Sequence, residues 1–194
     1  MVKKSMRTVE YRRKRQGRTD YRKRLTYLKS MKPRLVIRLT ANHILVQVVE
    51  YTPDGDITKV NINSKALSNY GWNYSSSNLP AAYLTGLVAG KVALSKGVKE
   101  MVADLGMQEK IHGGRLFAVI KGAVDAGVDM PYSEDCFPSQ ERLSGQHIQK
   151  YAKEIKENKE KYQKQFSAYL KNNLDPEKLP QDFEDTKQKI LSEK

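Results

Sequence analysis

The stretch from Tyr11 to Arg24, YRRKRQGRTDYRKR, limits what this chain can fold into more than any other. Eight of its fourteen residues are Lys or Arg, against the single acid Asp20. A charge taken out of water without a partner costs far more than one core contact returns. A run this cationic therefore stays outside any core and needs a polyanion or open water.

Charge along the rest of the chain favours the polyanion. Residues 1–34 hold 14 basic and 2 acidic residues, a net of +12, whereas residues 35–194 hold 21 and 20, a net of +1. A basic arm on a near-neutral body is the footprint of a nucleic-acid binder, and less often of a protein held to an acidic membrane. Arginine forks bind phosphate oxygens bidentately. Tyr11, Tyr21 and Tyr27 are interleaved with them, and a tyrosine stacked on an unpaired base contributes ~1–3 kcal/mol. Stacking combined with basic side chains suits irregular RNA better than a duplex major groove. The bland alternative is a solubilising tail, and the absence of any acidic cluster from Ser5 to Arg34 argues against it.

At 194 residues the chain has room for one core and appendages. Cys136 is the sole cysteine, which excludes an intramolecular disulfide and points to a reducing compartment. No apolar run approaches the roughly 20 residues of a membrane span, and the polar start lacks the apolar centre of a secretory signal. The arm's dense charge without an apolar helical face also sets it apart from a mitochondrial presequence. The expectation is a cytoplasmic protein.

Patterning predicts the body. Leu25, Leu28 and Met31 recur at three-residue spacing, so a short helix with one greasy side is expected from about Thr19 to Lys32, capped by Thr19 or Asp20 and closed by Pro33. LVIRLT (Leu35 to Thr40) and ILVQVVEYT (Ile44 to Thr52) read as a hairpin, and after the turn Pro53-Asp54-Gly55-Asp56 a third antiparallel strand runs from Ile57 to Ser64. Asn69 to Asn78 is an aromatic loop, Asn78 caps a helix to about Ser95, Glu100 to Leu105 is a fourth strand, and a second helix covers about Gly114 to Ala126. A stripe of small residues, Ala82, Gly86, Ala89, Gly90 and Ala93, calls for close approach of the first of these helices to a sheet.

The predicted class is thus α/β: a mixed sheet of three antiparallel strands plus a crossover strand, with helices packed on it, a basic N-terminal arm and a helical C-terminal extension. The expected divisions are the arm 1–34, the globular domain 35–130, and an irregular segment with helical extension, 131–194. From Ile148 on, apolar residues fall on one side of a helical pattern, and the 12 basic and 10 acidic residues after Pro138 mark a packing surface or a solvated helix.

Sites for other chemistry are weak. GLVAGK (Gly86 to Lys91) is one residue short of a phosphate-binding loop and lies mid-helix. His112-Gly113-Gly114 reads as a glycine turn into a helix more readily than as an anion site. The first strand has Arg38 where a metal-dependent nuclease of similar strand order carries a carboxylate, and the three histidines lack ligand spacing. No cofactor, metal or small-molecule substrate is expected. Two rivals, an RNA-processing enzyme and a protein scaffold acting through the C-terminal helices, predict metal-dependent cleavage and RNA-independent partner binding respectively.

Four segments carry a family resemblance: KRQGRTDYRKRL (Lys14 to Leu25), RLVIRLTANHILVQVVEYTPDGD (Arg34 to Asp56), NLPAAYLTGLVAGKVAL (Asn78 to Leu94) and GGRLFAVIKGAVDAGVDMPYSEDCFPSQERLSGQHI (Gly113 to Ile148). Over about residues 7–150 the chain resembles the universal large-subunit ribosomal protein that binds 5S rRNA, number eighteen in bacterial naming. FPSQERLSGQHI and the helical extension look like its archaeal and eukaryotic form. The resemblance implies a non-enzymatic ribosomal component of the central protuberance, whose partners are 5S rRNA, large-subunit rRNA and neighbouring large-subunit ribosomal proteins. It places RNA contacts at Arg12, Arg13, Arg15, Arg18, Thr19, Tyr21, Arg22 and Arg24 in the arm, and at Arg34, Arg38 and Asn42 by the first hairpin.

Overall fold

A computed structural model describes residues 9–192. The arm holds two helices, α1 (Arg12–Arg15) and α2 (Tyr21–Lys29). The body follows as β1 (Arg34–Leu39), β2 (Ile44–Thr52), β3 (Gly55–Asn63), α3 (Leu79–Ser95), β4 (Val102–Asp104) and α4 (Arg115–Asp125). Among the described residues five further α-helices follow: α5 (Gln140–Leu143), α6 (Gln146–Ile155), α7 (Lys159–Gln165), α8 (Ser167–Lys171) and α9 (Leu179–Ser192).

The sheet order is β3-β2-β1-β4, with β1–β2 and β2–β3 antiparallel and β4 parallel to β1, as the α/β reading expected. Alternation along β1 sorts its two faces. Leu35 and Ile37 are fully buried in the main core, together with Ile44, Val46 and Val48 of β2. Arg34, Val36 and Arg38 point the other way. One face is thus apolar and covered by α3 and α4; the other carries arginines and lies beneath the arm.

Two strand limits differ from expectation. Thr52 pairs with Gly55 across Pro53-Asp54, so β3 starts at Gly55 and includes Asp56, which the turn reading left in the connection. β4 is only three residues long, because the chain before it pairs instead with the end of α4's loop: Glu100 bridges Asp129, and the Met101 N–H donates to the Asp129 carbonyl at 3.0 Å.

α3 lies close to β2 and β3 as expected, and the glycines of its small-residue stripe also serve a tight helix–helix crossing. A Cβ on Gly86 would lie 2.1 Å from the Val119 carbonyl oxygen of α4, and one on Gly122 would lie 2.1 Å from the Tyr83 carbonyl oxygen of α3. Backbone meets backbone there, so nothing larger than hydrogen fits. Asn78 caps α3 as predicted, its side chain accepting from the Ala81 N–H at 2.9 Å.

The C-terminal extension is a packing surface at its end. Leu179, Phe183 and Ile190 of α9 are fully buried in the main core, and the Phe183 ring lies 5.6 Å from that of Tyr83. Lys91 Nζ donates to the Ile190 and Leu191 carbonyls at 2.7 and 3.0 Å, satisfying acceptors that a helix end leaves open. The aromatic loop joins the same core: Trp72 and Tyr74 are buried, and the Tyr74 hydroxyl donates to Asp182 Oδ2 at 2.6 Å. Burial, reinforced by this carboxylate, pushes the Tyr74 hydroxyl well above its ordinary pKa, so it stays a donor. The apolar side expected from Ile148 onward is realised in part. The segment breaks into α6, α7 and α8, which leaves Tyr151 and Leu170 exposed while Phe166 is buried.

In an open helix interior glycine to alanine gains about 1 kcal/mol. At the α3–α4 crossing the sign reverses: Gly122→Ala is expected to lower stability by about 1–3 kcal/mol, since the added methyl forces two backbones apart. Urea unfolding checks this, and a raised midpoint would show that the crossing is loose.

Candidate nucleic-acid interface

The arm is built by local hydrogen bonds. Asp20 caps α2, its Oδ1 accepting from the Arg22 and Lys23 N–H groups at 3.0 and 3.2 Å; Lys23, first of all, holds its carboxyl below the usual range. Thr19, the other candidate cap, instead accepts from Arg13 Nε at 2.8 Å, which ties α1 to the start of α2. Gly17, between the helices, has φ +61°, a conformation that favours glycine. α2 ends at Lys29, and Met31 has a positive φ of 53° before Pro33 leads into β1.

The inward side of α2 differs from the expected greasy one. Leu25 and Met31 are exposed, whereas Tyr21, Arg24, Tyr27 and Leu28 are half-buried. The cause lies beneath: the sheet face under α2 presents charge, so a helix side carrying one arginine and two tyrosines fits it better than a leucine stripe.

At the centre of that face is Arg34, 4% exposed. Its NH1 donates to Asp104 Oδ2 at 3.0 Å and its NH2 to Asp56 Oδ2 at 2.7 Å. Arg34 pairs with Val49 of β2, and Val49 with Thr58 of β3, so Asp56 belongs to a strand two positions away, about 10 Å across the sheet. The Arg34–Asp56 contact bridges that gap. Arg24 of α2 reaches the same Asp56 oxygen at 2.8 Å, and Arg38 reaches Asp104 Oδ1 at 3.2 Å and the Asp104 carbonyl at 2.9 Å. The result is a ladder, Arg24–Asp56–Arg34–Asp104–Arg38, that joins the arm, β3, β1 and β4. Tyr27 stands beside it, and burial, with the Asp104 charge second, pushes its hydroxyl pKa up.

Above the ladder a cavity of about 300 Å³ opens between arm and sheet, lined by Arg13, Arg18, Lys23, Arg24, Arg34 and Arg38 together with Asp20, Asp56 and Asp104. Six cations face three carboxylates, so the seam keeps a positive excess after its internal pairs are formed. Arg34 Nε is buried here without a hydrogen-bond acceptor among the described residues.

Of the residues expected to meet RNA, the fold therefore brings Arg13, Arg18, Thr19, Arg24, Arg34 and Arg38 to one seam. Tyr21 and Arg22 line a neighbouring hollow with Tyr11, Lys14 and Met107, the two tyrosine rings 5.1 Å apart. Arg12 and Arg15 are exposed on α1 and line neither. Asn42 is exposed in the β1–β2 turn, beyond Leu39 and thus more than about 17 Å of strand rise from Arg34. Sequence reasoning missed Lys23, Asp56 and Asp104. Lys23 had the signal of its basic neighbours, while nothing in the spacing of the two aspartates, 48 positions apart, shows that they share one arginine.

The weaker candidates have internal roles. Gly86 and Gly90 lie within α3 against α4, and Lys91 serves the end of α9. Gly113 has φ +67°, its N–H donates to the Cys136 carbonyl, and the Gly114 N–H donates to the Ile111 carbonyl: this is the glycine turn. Arg115 NH1 donates to the Ser77 carbonyl at 2.9 Å.

Replacing Arg34 with methionine keeps its length and removes the charge that faces the buried Asp104. Arg34→Met is expected to cost about 3 kcal/mol in chemical unfolding. A loss below about 1 kcal/mol would mean that Arg24, Arg38 and solvent satisfy the two carboxylates without Arg34.

The seam combines an excess of arginine with tyrosines at its edge, features that suit RNA binding. The family described as ribosomal large-subunit proteins 60S L5 and 50S L18 matches residues 5–103, just over half of the chain. That span includes the basic run, the first three strands, α3 and the first two residues of β4, hence every residue of the ladder except Asp104, one position beyond its end. The chain belongs to this family of large-subunit ribosomal proteins.

Proposed function

We propose that this protein binds 5S rRNA through its N-terminal arm and the arginine-bearing face of its sheet, and helps attach that RNA to the large-subunit rRNA in the central protuberance. The observation that carries the proposal is the seam itself. The arm holds almost all of the net charge and rests on the one sheet face that carries arginines. Family membership supports association with ribosomal RNA and ribosomal proteins at the ribosome, and the 5S rRNA assignment follows from the sequence resemblance over residues 7–150.

The residues take distinct parts. Arg12, Arg13, Arg15, Arg18 and Arg22 bind phosphate oxygens, and Tyr21 with Tyr11 offers a stacking surface for an unpaired base. Thr19 orients Arg13, while Arg24 and Arg38 face the RNA at the rim of the seam. Arg34 is buried, so it acts by holding those two in place. Asn42 makes a separate contact beyond the first hairpin. In this reading 1–34 is the RNA-binding arm, 35–130 the globular domain, and 131–194 an extension directed at neighbouring ribosomal proteins. The protein works in the cytoplasm as a ribosomal component, without catalysis, cofactor or small-molecule substrate.

With ~6–10 phosphates neutralised, log affinity for 5S rRNA falls with log salt at a slope of about −4 to −9. Deleting residues 1–24 lowers affinity by roughly two orders of magnitude or more at ~0.1 M salt, while the body keeps a cooperative unfolding transition. Gel shift and footprinting on 5S rRNA read both, and unchanged binding by the truncated chain would overturn the proposal.

A further inference from the structure

A surface meant for a polyanion is a poor place for carboxylates. Asp56 and Asp104 nonetheless lie in the floor of the seam, where each repels phosphate. Their geometry shows what they do instead. The Asp56 Oδ2 atom accepts from Arg24 of the arm and from Arg34 of the sheet, at 2.8 and 2.7 Å. The Asp104 oxygens accept from Arg34, from Arg38 and from the Gly106 N–H, at 3.0, 3.2 and 2.9 Å. Gly106 has φ +62°, and a Cβ there would sit 2.9 Å from the Arg38 guanidinium carbon, so the turn after β4 is shaped to hold that arginine close.

Resting on the function proposed above, we infer that Asp56, linked through Arg34 to Asp104, is a positioning residue for RNA binding: it docks α2 on the sheet in the free protein, so the arm meets RNA already oriented. Among the described residues, Arg24 is the one cation of α2 ion-paired to the sheet. Arg12, Arg15, Arg18 and Arg22 have no carboxylate partner there and remain available to phosphate. One arginine thus anchors the helix and its neighbours face outward. An arm docked beforehand avoids the loss of chain freedom that a flexible arm suffers on binding.

Asp56, at the rim of the ladder and 26% exposed, allows a test that the fold survives. Full-length protein, Asp56→Asn and Asp56→Glu are compared by hydrogen exchange without RNA, and by binding to a 5S rRNA transcript. Asp56→Asn is expected to speed exchange of the Tyr21–Lys29 amides about 10-fold or more with the strands still protected. It also weakens RNA binding about 5-fold, although removing a negative charge should by simple attraction strengthen it. Asp56→Glu restores protection and affinity toward the wild-type values.

Unchanged exchange of α2 in the Asn variant overturns the inference, as does affinity that holds or rises. Loss of protection throughout the sheet also overturns it, by marking Asp56 as a folding residue. Failure of the wild type to bind 5S rRNA sinks the proposed function, while exchange in the free protein still decides whether Asp56 docks the arm.

Discussion

Arg34 carries a full charge at a position with almost no access to water, and much of the structure follows from satisfying it. Burying a guanidinium costs several kcal/mol unless carboxylates of good geometry surround it. Here one comes from β3 and one from β4, on opposite sides of β1. The pairs add little net stability when set against the cost of desolvation. What they do supply is registration: Arg34 fixes where β3 and β4 stand relative to β1, and through Asp56 it fixes where the arm lies.

That arrangement requires the sheet to be apolar on one side only. α3 and α4 cover the apolar side, and they do so as a thin layer because Gly86 and Gly122 let their backbones touch. α9 then closes the layer from outside, with Phe183 against Tyr83, Ile190 buried in the same core, and Lys91 donating to the Ile190 and Leu191 carbonyls. With hydrophobic burial finished on that side, the other face is left to charge. The body supplies stability and an orientation; the arm supplies electrostatic attraction.

Much of this was legible along the chain. The β-branched apolar runs LVIRLT and ILVQVVEYT marked the strands, and Asn78 marked the start of α3. These signals are local, arising from torsional preference, side-chain period and solvation, so they survive without tertiary information. The hidden parts involve partners far apart in sequence. The small stripe of α3 announced a close approach but not its partner, because α4 carries the same kind of stripe and either a sheet or a helix satisfies it. The greasy side proposed for α2 failed because the face below it is charged, which no property of residues 19–32 reveals.

The sequence by itself determined that the basic run Tyr11 to Arg24 stays outside the core, in water or against a polyanion, since desolvation forbids burying it unpaired. It determined the strands and main helices as well, and carried the resemblance to a large-subunit ribosomal protein family. Tertiary structure alone decided which arginines have no internal carboxylate partner and which are also tied to the sheet. Arg24, Arg34 and Arg38 look like the other cations in the sequence, yet Asp56 and Asp104 claim them. An ion pair forms where folding brings two charges within about 3 Å, and that distance is a property of the sheet rather than of any segment.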